Sequence, residues 1–430
     1  MKEYKLSYYN YFIEDKDGVY AYNTMSNSFA LLTDEEYEQI KSFMKNATPL
    51  SENLETALRK GLFLIPSDSD EIQILKERNK AIKNRDDFVS LTIAPTLDCN
   101  FRCIYCYEKG QRNSLLMDES TERKICEYVE SKKETTKNLS VTWYGGEPLL
   151  AVDTIRRLSD FFINFCKENK VSYNAGIVTN GYCINENVLA LFDEAKISHC
   201  QITLDGNKET HDARRIYKDG TGTFETIINN IIKYGNMLPN LVIRVNVDKG
   251  NTCALTELRE RFSDAGIRNV RIFPAPVRNT WNCFEDSRCF SSREYQDFEL
   301  SCIESGNDSM AIKAIPSIKG NHCTADLKNS FVIGPDGSLY KCWCDIGLKE
   351  HAVGNISNPS DLTNHNELLN FDAYSDKECS TCKLLPVCLG GCFHDRVHLN
   401  YIPCISMKNS EEDYIKYISR VLLKRGVQQS

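Results

Sequence analysis

Cys99-Asn100-Phe101-Arg102-Cys103-Ile104-Tyr105-Cys106 stands just past the apolar run Leu91-Thr92-Ile93-Ala94. A loop that leaves a strand with three thiols in eight residues can ligate three irons of a four-iron cluster, which otherwise takes four cysteines. One iron then stays open to a ligand. Closely spaced cysteines also bind zinc, so the C-x3-C-x2-C spacing leaves both metals open until the rest of the chain is read.

From Phe88 onward the pattern alternates between strand and helix. Strands are expected at Ser90 to Ala94, Ser140 to Tyr144, Gly176 to Thr179, Cys200 to Leu204, Val242 to Val247 and Val270 to Phe273. Between them lie helical patterns at Ser120 to Lys132, Thr154 to Glu168, Asn185 to Glu194, Phe224 to Tyr234 and Leu255 to Ala265. Such alternation predicts an α/β fold with a parallel sheet, either open and doubly wound or an incomplete barrel; a partial (β/α)6 TIM-like barrel over residues 86–290 is the expectation. In these arrays the C-terminal strand ends carry function. Here the first leads to the three thiols, the second to Gly145-Gly146-Glu147-Pro148, the third to Thr179-Asn180-Gly181 and the fourth to Asp205-Gly206, while the fifth holds Arg244 and Asn246.

Composition narrows the function. The 430 residues allow two or three domains. A net charge of -8 argues against a nucleic-acid groove as the main surface. No run has the length to span a bilayer, and Met1 to Lys5 leads into polar and aromatic residues rather than an apolar signal core. A cytoplasmic protein is expected, with no nucleic-acid or membrane partner. There the 19 cysteines would stay reduced. Seven of them fall from Cys342 onward, which implies a second metal region.

Residues 1–85 read as a separate module. Tyr4 to Glu14, Val19 to Asn23 and Phe29 to Leu32 suit small antiparallel strands. Asp34 and Ser51 open two helices, and Leu62 to Ile65 close with a strand, a winged-helix-like order. Glu35, Glu36, Glu38, Glu52 and Glu55 would repel phosphates, whereas a strand edge could capture an extended peptide. Glu71 to Arg85 reads as a linking helix.

In the second cysteine region, Phe331 to Ile333 and Ser338 to Tyr340 flank Gly334-Pro335-Asp336-Gly337, a hairpin that delivers Cys342. Cys323 precedes it; Cys379, Cys382, Cys388, Cys392 and Cys404 follow. C-x2-C pairs are a zinc signature in general. His394 and His398, four apart on an expected helix, read as packing or surface residues. Cys126, Cys166, Cys200 and Cys253 read as buried small hydrophobes.

The trio with Tyr105 before its last cysteine, the Gly145-Gly146-Glu147-Pro148 strand end and the later cysteines together resemble the radical S-adenosylmethionine (SAM) enzymes with a C-terminal SPASM domain, of the peptide-maturase type. That resemblance implies a SAM-binding [4Fe-4S] cluster on Cys99, Cys103 and Cys106, and reductive cleavage of SAM to a 5'-deoxyadenosyl radical. It implies that Gly145, Gly146 and Glu147 meet the SAM amino group, that Arg215 binds its carboxylate, and that Tyr105, Asn180 and Asn246 are further cofactor contacts. A surface ion pair of Arg215 with Asp212 is the alternative for that arginine, and local backbone bonding is the alternative for the two asparagines.

The resemblance further implies two auxiliary [4Fe-4S] clusters in a domain of residues 291–430, three in all. Cys379, Cys382, Cys388 and Cys404 would hold the outer one, and Cys323, Cys342 and Cys392 the inner one. An upstream inner ligand would fall on Ser317, so that cluster has an open iron or takes Cys344 or Cys302. The implied partners are a precursor peptide, its leader held by residues 1–85, and a flavodoxin- or ferredoxin-type electron donor. The expected product is a thioether or carbon–carbon crosslink. Two other readings are an anaerobic sulfatase maturase, in which an acid should follow Cys342 where Trp343 stands, and a zinc-stabilised peptide-binding protein without redox chemistry.

Overall fold

The computed structural model describes residues 3–268, 270–304, 316–362, 371–398 and 403–424. By contact pattern the chain divides into two units, one of residues 1–83, 292–322 and 370–430, the other of residues 84–291 and 323–369.

The first unit begins with β1 (Tyr4–Leu6), β2 (Asn10–Asp15), β3 (Gly18–Asn23) and β4 (Ser28–Leu32), then α1 (Asp34–Asn46), α2 (Glu52–Lys60), β5 (Leu64–Pro66) and α3 (Glu71–Lys83). The stretch from Tyr4 to Glu14 is two strands: β1 pairs antiparallel with β5, while β2, β3 and β4 form a meander. The break falls where Ser7 and the Tyr8 amide hydrogen-bond to Glu71. The cap of α1 is Thr33 rather than Asp34, in a reciprocal capping box with Glu36, worth about 1 kcal/mol. Glu35, Glu38 and Glu52 are exposed as expected, while Glu36 and Glu55 are half-buried.

The second unit carries β6 (Phe88–Ile93), α4 (Glu119–Glu130), β7 (Asn138–Trp143), α5 (Val152–Asn169), β8 (Ser172–Thr179), α6 (Glu186–Glu194), β9 (Ile197–Thr203), α7 (Lys208–Arg214), α8 (Phe224–Tyr234), β10 (Val242–Val247), α9 (Ala254–Asp264) and β11 (Arg271–Pro276), followed by β12 (Ser330–Ile333), β13 (Ser338–Tyr340) and β14 (Gly354–Asn355). All six expected strands form, within a few residues, and pair in parallel in chain order. The fold is α/β with a mostly parallel sheet, open between β11 and β14. Alternation along β10 shows why these residues choose strand: Ile243, Val245 and Val247 are fully buried, while Val242, Arg244 and Asn246 are half-buried on the other face.

The expected hairpin forms, but it does not stand apart from the parallel sheet. β12 pairs in parallel with β6, from Ser330 opposite Ser90 to Ile333 opposite Ile93, and antiparallel with β13. Residues 323–369 therefore group with the parallel sheet rather than with the rest of the segment 291–430.

That remaining part, α10 (Ser292–Glu304), α11 (Leu385–Cys388), α12 (Phe393–His398) and α13 (Glu411–Lys424), groups with the N-terminal module. One apolar cluster joins Ile13, Tyr20 and Tyr22 to Leu384, Val387, Met407, Tyr414 and Ile415. Another joins Tyr9, Met25 and Leu75 to Tyr374, Cys379, Leu385 and Leu389. Strands of the N-terminal meander thus share apolar cores with residues of the later cysteine region, because the meander presents an apolar face for them to cover.

Candidate functional site

β6 ends at Ile93, and the chain after it is pinned before it reaches the thiols. The Met117 amide donates to the Pro95 carbonyl at 2.8 Å, Thr96 Oγ1 to the Leu115 carbonyl at 2.9 Å, and the Cys99 amide to Asp98 Oδ1 at 2.8 Å. The Arg102 amide donates to the Ile216 carbonyl at 2.6 Å and the Ile104 amide to the Arg214 carbonyl at 3.0 Å. The thiol loop is thereby laced to the segment that carries Arg214 and Arg215.

Gly145 and Gly146 zip the β7 end to the same loop. A Cβ on Gly146 would sit 2.1 Å from the Asp98 carbonyl oxygen, and one on Gly145, at φ +101°, would sit 2.6 Å from that of Thr96. The close approach these glycines permit is to the thiol loop's own backbone. Glu147 follows, fully buried, its amide donating to the Asp98 carbonyl at 2.9 Å. Its carboxylate accepts from the Leu149 amide at 3.1 Å, Thr179 Oγ1 at 2.7 Å and the Asn180 amide at 2.7 Å. Burial pushes its pKa up while these donors pull it down. Glu147 therefore ties the ends of β7 and β8 together beside the thiols.

Tyr105 is the centre of a second network. Its hydroxyl donates to Asp205 Oδ2 at 2.5 Å and accepts from Arg215 Nη1 at 2.9 Å and Asn246 Nδ2 at 3.1 Å, which fills the capacity of a phenol. Arg214 Nε pairs with Asp205 at 3.1 Å and its Nη1 with Asp248 at 2.6 Å, all three residues being buried. Arg215 makes no pair with Asp212, which is taken by Lys208 and by the Thr223 and Phe224 amides. Instead Arg215 is 7% exposed, lies in the field of Cys103 and Tyr105, and keeps its Nε without a partner among the described residues. A buried guanidinium N–H left unspent near Cys103 fits an anionic ligand.

Asn180 and Asn246 each hydrogen-bond within the protein. Asn180 Nδ2 donates to Asn100 Oδ1 at 2.7 Å and its Oδ1 accepts the Tyr182 amide at 2.9 Å. Asn246 Oδ1 accepts Arg244 Nε at 2.8 Å. Both bond mainly to neighbouring side chains, Asn100 for Asn180 and Arg244 and Tyr105 for Asn246. Burial pushes the Cys99, Cys103 and Cys106 thiols up, Cys106 to about 12. A bound metal reverses that balance by favouring thiolate.

His211 underlies the network. Its Nδ1 accepts the Asp205 amide at 3.3 Å, so its Nε2 carries the proton and meets Thr223 Oγ1 at 3.1 Å. Burial, aided by Arg215, lowers its pKa to about 3. The folded state thus holds His211 neutral where the unfolded chain protonates it, so this stability is complete above about pH 6.5 and is lost as pH falls. Urea unfolding of the apoprotein should lose about 2 kcal/mol from this group between pH 7 and about pH 5. In His211→Gln that slope should flatten by the same amount; an unchanged slope would refute the assignment.

In the first unit, Cys379, Cys382, Cys388 and Cys404 line one hollow with Arg396 and Lys408. Cys323 and Cys342 lie in the sheet-bearing unit and Cys392 in the other. Cys344, on the turn Trp343–Asp345, accepts Trp281 Nε1 through its carbonyl at 2.8 Å, and Cys302 lies on α10. Trp343 packs on Tyr144, the residue before Gly145, with ring centroids 4.5 Å apart. His394 is buried and its ring lies 4.9 Å from that of His398. Cys166 and Cys200 are buried as expected, Cys126 is half-buried, and Cys253 is exposed because it starts α9 rather than lying within it. Arg214, Asp248 and Asn100 are not among the site residues expected from the sequence. The adjacency of Arg214 to Arg215 is the one signal, since arginine is rarely buried unless it is paired.

No helix among the described residues is long and apolar enough to cross a membrane. Residues 93–253 match the Radical SAM superfamily. The chain is 26% identical over 333 residues to the cysteine-type anaerobic sulfatase-maturating enzyme of Clostridium novyi (strain NT), covering 71% of this chain and 87% of that one. Its fold is similar to a structure described as native anSMEcpe with bound AdoMet and Cp18Cys peptide, with a TM-score of 0.62 at 19% identity over 79% of this chain and 99% of that one. It is also similar to the crystal structure of Streptococcus suis SuiB bound to precursor peptide SuiA, with a TM-score of 0.51 at 14% identity over 94% of this chain and 99% of that one.

Proposed function

We propose, for a chain that is a member of the radical SAM superfamily, that it is a peptide maturase which installs a thioether or carbon–carbon crosslink in a ribosomally made precursor. SAM and a [4Fe-4S] cluster are that superfamily's cofactors, and when bound they supply reductive cleavage of SAM to the adenosyl radical. Cys99, Cys103 and Cys106 would hold the cluster, and Arg215 Nε would take the SAM carboxylate. Tyr105, itself bonded to Asn246, would fix Arg215, and Glu147 would fix the loop. The reading includes two auxiliary clusters, a leader held by the N-terminal module and a flavodoxin- or ferredoxin-type donor.

The observation that most supports it is the convergence of Cys379, Cys382, Cys388 and Cys404 on one hollow, in a chain that also carries the first trio. Arg215→Met should weaken SAM binding about 100-fold in equilibrium dialysis with iron content unchanged, the size of a charge-assisted bond to an anion. Binding within about threefold of the parent would sink this role.

The likeness to the sulfatase-maturating enzyme favours a second reading, oxidation of a Cys or Ser to formylglycine. Against it stands Trp343, an indole packed on Tyr144 where that reading expects an acid. Coexpression with a candidate precursor separates the two. A loss of two hydrogens per modification, without reaction toward a hydrazide reagent, supports a crosslink. Loss of sulfur and two hydrogens with gain of oxygen, or a hydrazide-reactive aldehyde, supports formylglycine. Zinc without iron in anaerobically reconstituted protein would sink both.

A further inference from the structure

Two cations reach into the hollow lined by Cys379, Cys382, Cys388 and Cys404. Arg396 Nη2 donates to Cys379 Sγ at 2.8 Å, and Lys408 Nζ to Cys382 Sγ at 3.5 Å. Groups other than the thiols hold both in place. Arg396 is 8% exposed; its Nε donates to the Gly390 carbonyl at 2.6 Å, its Nη1 pairs with Asp376 at 3.1 Å, and its guanidinium lies 4.8 Å from the centre of the Phe371 ring. Asp376 in turn accepts the amides of Glu378 and Cys379. Lys408 pairs with Glu411 at 3.3 Å. Asp376 and Glu411 thus occupy other N–H groups of the two cations, and Glu378 also lines the hollow. What the sulfurs receive is a directed N–H from each side chain.

Hydrogen bonds to cluster sulfurs, together with charge and exposure, set the potential of an iron–sulfur cluster. A donor withdraws electron density from thiolate sulfur and so favours the form that carries one more electron. Resting on the reading of these four cysteines as cluster ligands, we propose that Arg396 and Lys408 raise the reduction potential of the outer auxiliary cluster by donating to the Cys379 and Cys382 sulfurs. Both are positioning residues acting through a ligand. Their placement on one C-x2-C pair directs the effect to the irons that pair holds, and it suits a cluster that accepts an electron more than one that gives it away.

The test is an EPR-monitored redox titration of the reconstituted holoenzyme, with the outer cluster's signal identified by its loss in Cys382→Ala. At a fixed ambient potential Arg396→Gln should lower the reduced-to-oxidised ratio about tenfold, equal to about 59 mV for a one-electron couple. Lys408→Gln, on a half-exposed side chain, should lower it about threefold, and Arg396→Lys should recover part of the loss. Unchanged potentials in both Gln variants at full iron content overturn the proposal. If Arg396→Gln loses its iron, Lys408→Gln decides alone: a fall supports the proposal and no shift overturns it. If Cys382→Ala removes neither iron nor signal, the cluster assignment itself fails, an outcome distinct from a signal that titrates unmoved.

Discussion

Cys103→Ala is expected to abolish SAM cleavage, lowering 5'-deoxyadenosine formation by at least about a thousandfold and removing one cluster's worth of iron. Of the three thiols, Cys103 is the one whose charge Arg215 feels most. On the proposed ligation, its loss strips an iron of its ligand near the guanidinium proposed for SAM. Cys253→Ala is the control: that thiol is exposed at the start of α9 and should leave iron and turnover unchanged. Turnover within about tenfold of the parent in Cys103→Ala would remove the loop from the mechanism.

Arg214→Met should cost about 3–5 kcal/mol of folding stability, the range for removing one partner from a buried charge set. Asp205 and Asp248 are both fully buried and share this one guanidinium. Asp248 keeps Arg288 at 3.2 Å and the Gly250 amide at 2.7 Å, and Asp205 keeps Tyr105 and the Asn246 amide, which places the cost toward the lower end. Arg214→Met combined with Asp205→Asn should cost less than Arg214→Met alone, because the stranded charge is then gone. Urea unfolding of the apoproteins measures both. A loss under about 1 kcal/mol in Arg214→Met would mean that water reaches the pair.

The strand–helix alternation from Phe88 to Phe273 was legible because each element carries its own period and its own punctuation; Val242–Val247 and Phe224–Tyr234 form with the expected bounds. The thiol trio and the strand ends were legible as a group for the same reason. What Gly145 and Gly146 approach was not, since a glycine announces close contact without naming the partner, here Thr96 and Asp98. Nor were the internal bonds that Asn180, Asn246 and Glu147 make, because an amide or carboxylate at a strand end reads alike whether it faces a ligand or the neighbouring strand. The grouping of elements was hidden too. It depends on β12 adding to β6 and on apolar residues near Tyr9 and Tyr22 meeting others near Leu385 and Met407, and local pattern carries no address for such distant partners.

The seat of β12 also constrains how the molecule is made. β6, the strand that leads to the thiol loop, is flanked by β7 on one side and by β12 on the other, and β12 emerges from the ribosome roughly 240 residues later. Through most of translation β6 is a bare edge, open to pairing with another chain. Segment 330–333 closes that edge and brings Cys342 close behind it. The nascent chain thus holds its thiol loop on an unfinished sheet until synthesis is about three-quarters done, and a chain stopped near residue 291 would be prone to aggregate through the exposed strand.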